Sequence, residues 1–155
     1  MIFLDTDVCV AYLRGDARIV AKIRSFDPDD LAVPAMVAAE LFYGAEKASD
    51  PDRDRMRVEE FLGSLAVVQT DENTVRTFGY VKAYLAKAGL AIPDADLLVA
   101  ATALSRSCPL ATGNVRHFSR IWGLQLQNWF EAPPAAPPAP PPRRAPSARR
   151  SRRRP

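Results

Sequence analysis

Short apolar segments alternate with helical segments along the first 130 residues of this chain. Five segments read as strands: Ile2–Asp5, Leu31–Val33, Ala66–Val68, Pro109–Thr112 and Leu124–Gln127. The stretches between them carry apolar residues at helical spacing. Strands that alternate with helices at this spacing predict a parallel sheet with helices on both faces. We therefore expect an α/β fold, a three-layer α/β/α sandwich with a central, mostly parallel sheet of four to five strands.

The helical segments also predict which side chains face the core. The helix Glu72–Ala88 is expected to bury an apolar stripe that starts at Val75. The helix that starts at Pro51 is expected to turn Met56, Phe61 and Leu62 inward.

Charge and composition divide the chain after Glu131. All 18 acids lie at or before this residue, together with 14 Lys and Arg, so residues 1–131 carry a formal charge of −4. Residues 132–155 hold seven Arg, nine of the 14 Pro and no acid, Gly or aromatic residue. Such a segment cannot bury enough apolar surface to offset its ordering entropy. We predict a folded domain over 1–131 and a disordered, Pro/Arg-rich tail over 132–155.

Cysteine and histidine usage excludes a zinc site. Cys9 and Cys108 are far apart, form no CxxC motif and are accompanied by one histidine. They are expected to be small buried residues in a reducing compartment. No signal-peptide pattern or long apolar run is present, so a cytoplasmic protein is expected, with no membrane association.

Three carboxylates stand in apolar surroundings and are candidate site residues: Asp5, Glu40 and Asp96. Asp5 ends the first strand, and the carboxyl ends of parallel strands are where ligands bind. Asp7 is the better helix cap, because it directly precedes the expected helix Val8–Leu13. That assignment leaves Asp5 without a structural role, although a turn or capping role is the alternative.

The other two carboxylates also have structural alternatives. Glu40 lies in the middle of a nearly apolar helix, so it either pairs with a cation such as Arg116 or faces a cleft as a metal ligand. Asp96 lies in the first turn of a helix expected over Ala95–Arg106, where the helix dipole alone favours an acid. Asp94 has the better position for the N-cap of that helix.

Together these acids predict a metal site. Two carboxylates about 5 Å apart repel by roughly 3 kcal/mol at an effective dielectric near 20, so a cluster of them favours a bound cation. Oxygen ligands without His or Cys select Mg²⁺ or Mn²⁺. Thr112 and Asn114 are positioned to orient a water at such an ion, or else form a polar turn. His117 is interpreted as a surface residue rather than a general base.

Four segments, in this order, resemble the motifs of the PIN-domain ribonucleases, and within them the VapC toxins of bacterial toxin–antitoxin modules. The segments are Leu4-Asp5-Thr6-Asp7, Ala39-Glu40-Leu41-Phe42-Tyr43-Gly44-Ala45, Asp96-Leu97-Leu98-Val99-Ala100-Ala101, and Thr112-Gly113-Asn114 before Phe118. The similarity spans about residues 1–130 and leaves out the tail. Each motif is weak alone, but four in order at these spacings are specific.

The resemblance implies a PIN-like sandwich and a set of site residues. Asp5, Glu40 and Asp96 would be the metal-binding catalytic acids, with Asn114 and Asp94 as further candidate ligands. The supporting residues would be Thr6, Asp7, Thr112 and Arg116. Two departures from the family pattern matter. Asp7 replaces the usual Asn and adds negative charge, and Asn114 replaces the fourth acid of some members.

The activity implied is that of a Mg²⁺- or Mn²⁺-dependent endoribonuclease, the toxin of a toxin–antitoxin module. RNA would be the substrate, a cognate antitoxin would block the site, and the chain would form a homodimer. Arg14, Arg116 and Arg120 are candidates to flank the cleft. The tail either adds unspecific RNA affinity through counterion release or is a genetic accident without a selected role.

Two other functions remain open. Asp5-Thr6-Asp7 is similar to the Asp-x-Asp start of haloacid-dehalogenase-like phosphatases, in which Asp5 would be a nucleophile. That family also needs a lysine after a later strand, whereas Lys82 and Lys87 lie on a predicted helix. The second alternative is a catalytically inactive PIN-like module that only binds a partner.

Overall fold

A computed structural model of the chain describes residues 1–131. The predicted tail over 132–155 lies outside the described residues. The strands are β1 (Ile2–Leu4), β2 (Leu31–Pro34), β3 (Ala66–Val68), β4 (Leu110–Ala111) and β5 (Leu126–Gln127). The helices are α1 (Thr6–Leu13), α2 (Ala17–Arg24), α3 (Ala35–Glu46), α4 (Pro51–Gly63), α5 (Glu72–Lys87), α6 (Asp94–Leu104) and α7 (Val115–Phe118).

The five strands form one parallel sheet in the order β3-β2-β1-β4-β5. The α/β fold with a five-stranded parallel sheet is therefore confirmed. The strand order reverses at β1, because the chain continues from β1 to β2 on one side and later returns to β4 on the other. Such a switch point opens a crevice at the carboxyl ends of the strands. Here that crevice lies beyond Leu4 and its register partner Ala111.

Burial of the central strands explains why their sequences are apolar throughout. Phe3, Leu4, Leu110 and Ala111 have no exposed surface, as expected for strands covered on both faces. The residues that directly follow these two strands are Asp5 and Thr112, and both are buried. The sheet thus delivers two polar side chains to the crevice from inside the core.

Two of the predicted inward side chains face outward. Met56 in α4 is 67% exposed and Val75 in α5 is 57% exposed. The helices bury neighbouring positions instead, Val58 in α4 and Thr74 in α5. Thr74 is polar, but its amide and its hydroxyl both donate hydrogen bonds to Asp71, the N-cap of α5, so its burial leaves them satisfied. Within residues 1–131, no helix is long and apolar enough to cross a membrane.

Candidate active site

The Asp5 carboxylate binds both the start of α1 and the residue that follows β4. Asp5 is the N-cap of α1, and its Oδ1 accepts a hydrogen bond of 2.8 Å from the Thr6 amide. The prediction that Asp7 caps this helix is therefore wrong, because α1 begins two residues earlier than expected. The other oxygen, Oδ2, accepts a 2.7 Å bond from the Thr112 hydroxyl at the end of β4. Asp5 is thus oriented by two neutral donors.

Burial raises the pKa of Asp5. Loss of solvent raises its pKa from 3.8 to about 6, although the Thr112 hydrogen bond opposes the shift. The charges of Asp7 and Asp96 raise this pKa further. Both carboxylates therefore lie near enough to repel Asp5.

Asp7 lies on the first turn of α1 and contacts the loop after β4. Its Oδ2 accepts a 2.8 Å hydrogen bond from the Gly113 amide. Its Oδ1 is buried and, within residues 1–131, has no hydrogen-bond partner. Burial raises the pKa of Asp7 above its ordinary value, and the charge of Asp96 adds to the shift. An unsatisfied buried carboxylate oxygen is costly unless another group binds it.

Glu40 reaches the site from α3. Its Oε2 accepts a hydrogen bond from the Thr6 hydroxyl, one residue after Asp5. None of the ion pairs formed within residues 1–131 includes Glu40 or Arg116, so the alternative of a salt bridge between them is not realised. Thr6 therefore links Glu40 to the carboxyl end of β1, whereas Arg116 lies exposed on α7.

The two acids of the first turn of α6 have different surroundings. Asp96 Oδ2 lies 3.3 Å from Nδ1 of His117, and its side chain is 27% exposed. Asp94 points away and forms a 2.6 Å ion pair with Lys82 of α5 at a 64% exposed position. Asp94 is also the first residue of α6, not its cap, since Pro93 occupies the N-cap position. Asp94 is thus a surface residue and not a member of the carboxylate group.

The segment that follows β4 contacts three of these acids, Asp5, Asp7 and Asp96. Thr112 Oγ1 donates to Asp5 and accepts a 2.9 Å bond from the Asn114 amide. Asn114 precedes α7 without a side-chain capping bond. The sequence pointed to Thr112 and Asn114 and placed His117 on the surface, where its side chain is 42% exposed, but it did not predict the contact of His117 with Asp96. Its partner Asp96 is 21 residues away along the chain, so no local pattern signals the contact.

The structure brings Asp5, Asp7, Glu40 and Asp96 to one edge of the sheet, each tied to a different donor. Within residues 1–131, however, no three Asp, Glu, His or Cys side chains are close enough to hold a single metal ion. The side chains of Asp5, Glu40 and Asp96 therefore do not converge on a single point in this structure, and the metal site stays a prediction.

Sequence comparison identifies the family. A family model of the PIN domain matches residues 2–123 of this chain, which includes all four motifs. The chain belongs to the PIN-domain family. The predicted family is thereby confirmed, and the match ends before the Pro/Arg-rich segment.

Proteins that are similar in sequence to this PIN domain include VapC ribonucleases. Ribonuclease VapC2 of Haemophilus influenzae is 31% identical over 126 residues, which cover 81% of this chain and 96% of that protein. The tRNA(fMet)-specific endonuclease VapC of Shigella flexneri is 29% identical, with the same coverage.

Solved structures show the same relationship. The DNA-bound VapBC complex of Salmonella typhimurium contains a chain with a TM-score of 0.79 and 29% identity, covering 83% of this chain and 97% of that one. VapBC-1 from nontypeable Haemophilus influenzae has a TM-score of 0.77 and 30% identity, covering 84% and 100%. The similarity extends over nearly the full length of each relative.

Proposed function

We propose that this PIN domain is a metal-dependent endoribonuclease and the toxin of a toxin–antitoxin module. The observation that carries the proposal is the buried Asp5, whose pKa is raised to about 6 by burial and by the charges of Asp7 and Asp96. A protein that only needed a helix cap would gain nothing from crowding further acids around it. Perturbed, mutually repelling carboxylates in a crevice are typical of catalytic sites.

The residues present fit Mg²⁺ or Mn²⁺. The donors are all oxygens, which these ions prefer. The buried Oδ1 of Asp7 lacks a partner within the described residues, so one acceptor is available without breaking a hydrogen bond. Mg²⁺ is usually bound by one or two carboxylates and several waters, so a three-carboxylate cage is not required. We propose that Asp5, Glu40 and Asp96 bind such an ion directly or through its waters, so that no single ion needs to contact all three. The Oδ1 of Asp7 and the side chain of Asn114 are additional oxygen donors.

A bound ion of this kind supplies a water of lowered pKa and offsets the charge that develops on the leaving oxygen. The chain's own residues then have distinct tasks. Thr112 holds Asp5 by its Oδ2, and Thr6 holds Glu40 by its Oε2. Arg116 lies exposed on α7, in the same short segment as Asn114, and is available to contact a phosphate of the RNA.

The partner proposed is a cognate antitoxin. A groove of about 340 Å³ runs between α1, α3 and α4, and its lining includes Arg14, Glu40 and Arg57. Because Glu40 belongs to both the groove and the carboxylate group, a protein segment bound there would obstruct the site. We propose a homodimer in the cytoplasm as the setting, where RNA and a reducing environment for Cys9 and Cys108 are present.

RNA cleavage by the purified full chain tests this function. We expect defined RNAs to be cut when Mn²⁺ or Mg²⁺ is added and to stay intact with EDTA. Asp5→Asn, Glu40→Gln and Asp96→Asn should each abolish cleavage while circular dichroism shows an unchanged fold. Asp94→Asn is the matched control, since Asp94 is paired with Lys82, and it should cleave normally.

The same assay separates the alternatives. Turnover of phosphomonoesters without RNA cleavage would favour a phosphatase. Binding of RNA or antitoxin without any cleavage would favour an inactive module.

A further inference from the structure

His117 is the one histidine of the chain, and its ring touches the carboxylate group. The Nδ1 atom lies 3.3 Å from Oδ2 of Asp96. The side chain is 42% exposed. A bond from Nδ1 to a carboxylate requires only that Nδ1 carries the hydrogen, which holds in one neutral tautomer as well as in the charged form.

Asp96 has little else to orient it. Within residues 1–131, its carboxylate has one side-chain partner, and that partner is His117. Asp5 differs, since it is fixed by the Thr6 amide and the Thr112 hydroxyl. Because the Asp96 side chain is 27% exposed and has this single side-chain partner, it is free to change rotamer once the partner is lost.

The segment that carries His117 is firmly held. Phe118, its neighbour in α7, has no exposed surface. The His117 amide donates a 3.0 Å bond to the Asn114 carbonyl, and the Asn114 amide bonds to Thr112. The same six-residue stretch thus binds Asp5 at its start and Asp96 at its end. A rigid support of this kind is what a ligand-orienting contact needs.

We propose that His117 is a positioning residue that holds the Asp96 carboxylate by Oδ2 and so presents Oδ1 to the metal. This inference rests on the proposed function. Partners that orient metal ligands contribute strongly to affinity, and their loss typically weakens metal binding 10- to 100-fold. The role assigned to His117 is therefore exerted through Asp96 and not through contact with RNA.

Three substitutions distinguish the two ring nitrogens. His117→Asn places an amide donor near the position of Nδ1, His117→Gln places it near Nε2, and His117→Ala removes both. The measurement is the dissociation constant of Mn²⁺ for the full chain without RNA, by isothermal titration calorimetry. Lys82→Gln is the matched control, because it removes the partner of Asp94 in the same helical turn.

We expect His117→Ala and His117→Gln to bind Mn²⁺ about 10- to 100-fold more weakly than wild type, and His117→Asn and Lys82→Gln to stay close to wild type. Cleavage by His117→Ala should recover as Mn²⁺ approaches saturation, with the KM for RNA unchanged. Melting temperatures without metal should remain similar for all variants. A purely structural role would lower the melting temperature and leave the Mn²⁺ affinity unchanged, which would overturn the inference.

Two further outcomes are decisive. If His117→Gln retains Mn²⁺ binding and His117→Asn loses it, Nε2 is the working atom and the positioning role is wrong. If the wild type binds Mn²⁺ and His117→Ala binds it equally well, the inference alone fails. A wild type that binds no Mn²⁺ overturns the proposed function and the inference with it.

Discussion

Asp5 serves the fold and the proposed chemistry with the same two oxygens. One oxygen caps α1 and the other receives the Thr112 hydroxyl, so the carboxylate is buried and its pKa rises to about 6. The folded protein therefore binds a proton at Asp5 more tightly than the unfolded chain does. Stability from this proton is fully present below pH 3.8 and is lost as pH rises through about 6.

The first prediction follows from this linkage. Without metal, Asp5→Asn should unfold at higher urea concentration than wild type near neutral pH. A shift of about two pKa units corresponds to about 3 kcal/mol, and the gain should shrink as pH falls toward 4. Asparagine keeps an oxygen for the Thr6 amide, so the cap is retained. Urea unfolding at several pH values measures the difference, and a less stable Asp5→Asn at neutral pH would contradict the prediction.

Bound metal should make wild type more stable than Asp5→Asn, the reverse of the order expected without metal. A ligand that binds only the folded state stabilises it in proportion to the logarithm of its concentration above Kd. Mn²⁺ should therefore raise the melting temperature of wild type and have much less effect on Asp5→Asn. Equal upward shifts in both proteins would place the bound ion away from Asp5.

At the scale of elements, the loop after β4 is packed against the C-terminal segment of the domain. A Cβ added at Gly113 would lie 2.6 Å from a ring carbon of Phe130 and 3.0 Å from Oδ2 of Asp7. The glycine is therefore required by its neighbours and not by its backbone angles. The Gly113 amide that binds Asp7 depends on this close approach.

The second prediction concerns this contact. Gly113→Ala should destabilise the fold by about 1–3 kcal/mol, since the ring of Phe130 must move. It should also lower RNA cleavage, because the amide that holds Asp7 is displaced. Gly79→Ala is the control: Gly79 lies within α5 with open space around it, and alanine there should stabilise the helix by up to about 1 kcal/mol. Thermal and urea unfolding measure the stability of both variants. If Gly113→Ala is as stable as wild type, the Phe130 ring moves aside at no cost and the prediction is wrong.

The sequence was informative about elements and less so about contacts between them. The alternation of short apolar runs and helices predicted the five strands and the parallel sheet, because burial on both faces requires uninterrupted apolar strands. Strand order was not predictable, since any two apolar strands can pair. The cap of α1 was misplaced by two residues, because Asp5 and Asp7 are both suitable cap residues and the sequence does not show at which of them the helix begins. The contact between His117 and Asp96 was invisible, because it depends on how α6 and α7 meet in space.

At the scale of the whole molecule, the end of the described chain is fixed to α2. The ring of Trp129 stacks on Phe26 with centroids 5.5 Å apart, and Lys22 lies over both rings. Arg18 donates a 3.2 Å hydrogen bond to the Phe130 carbonyl. Since Phe130 also lies against Gly113, the last residues that the structure describes are close to the loop that holds Asp5 and Asp7.

The third prediction tests what that segment contributes. The residues before it carry a net charge of −4, whereas residues 132–155 carry seven Arg and no acid. Truncation after Glu131 removes none of the contacts described above, so the kcat for cleavage of a defined RNA should be unchanged. Lost catalysis in the truncated chain would show that the segment is part of the enzyme.

Unlike kcat, the affinity for RNA should fall when the segment is removed, because each phosphate neutralised by an Arg releases counterions. For single-stranded RNA the logarithm of affinity falls with the logarithm of salt by about 0.7 per contact, so seven Arg would add a slope of up to about 5. Binding is measured by fluorescence anisotropy over a salt series, with Asp96→Asn in both chain lengths to prevent cleavage. We expect the full chain to bind more tightly at low salt and to lose that advantage steeply. Identical slopes in the two lengths would assign the segment no role in RNA binding, and tighter binding by the truncated chain would indicate that the Arg residues occupy the acidic site themselves.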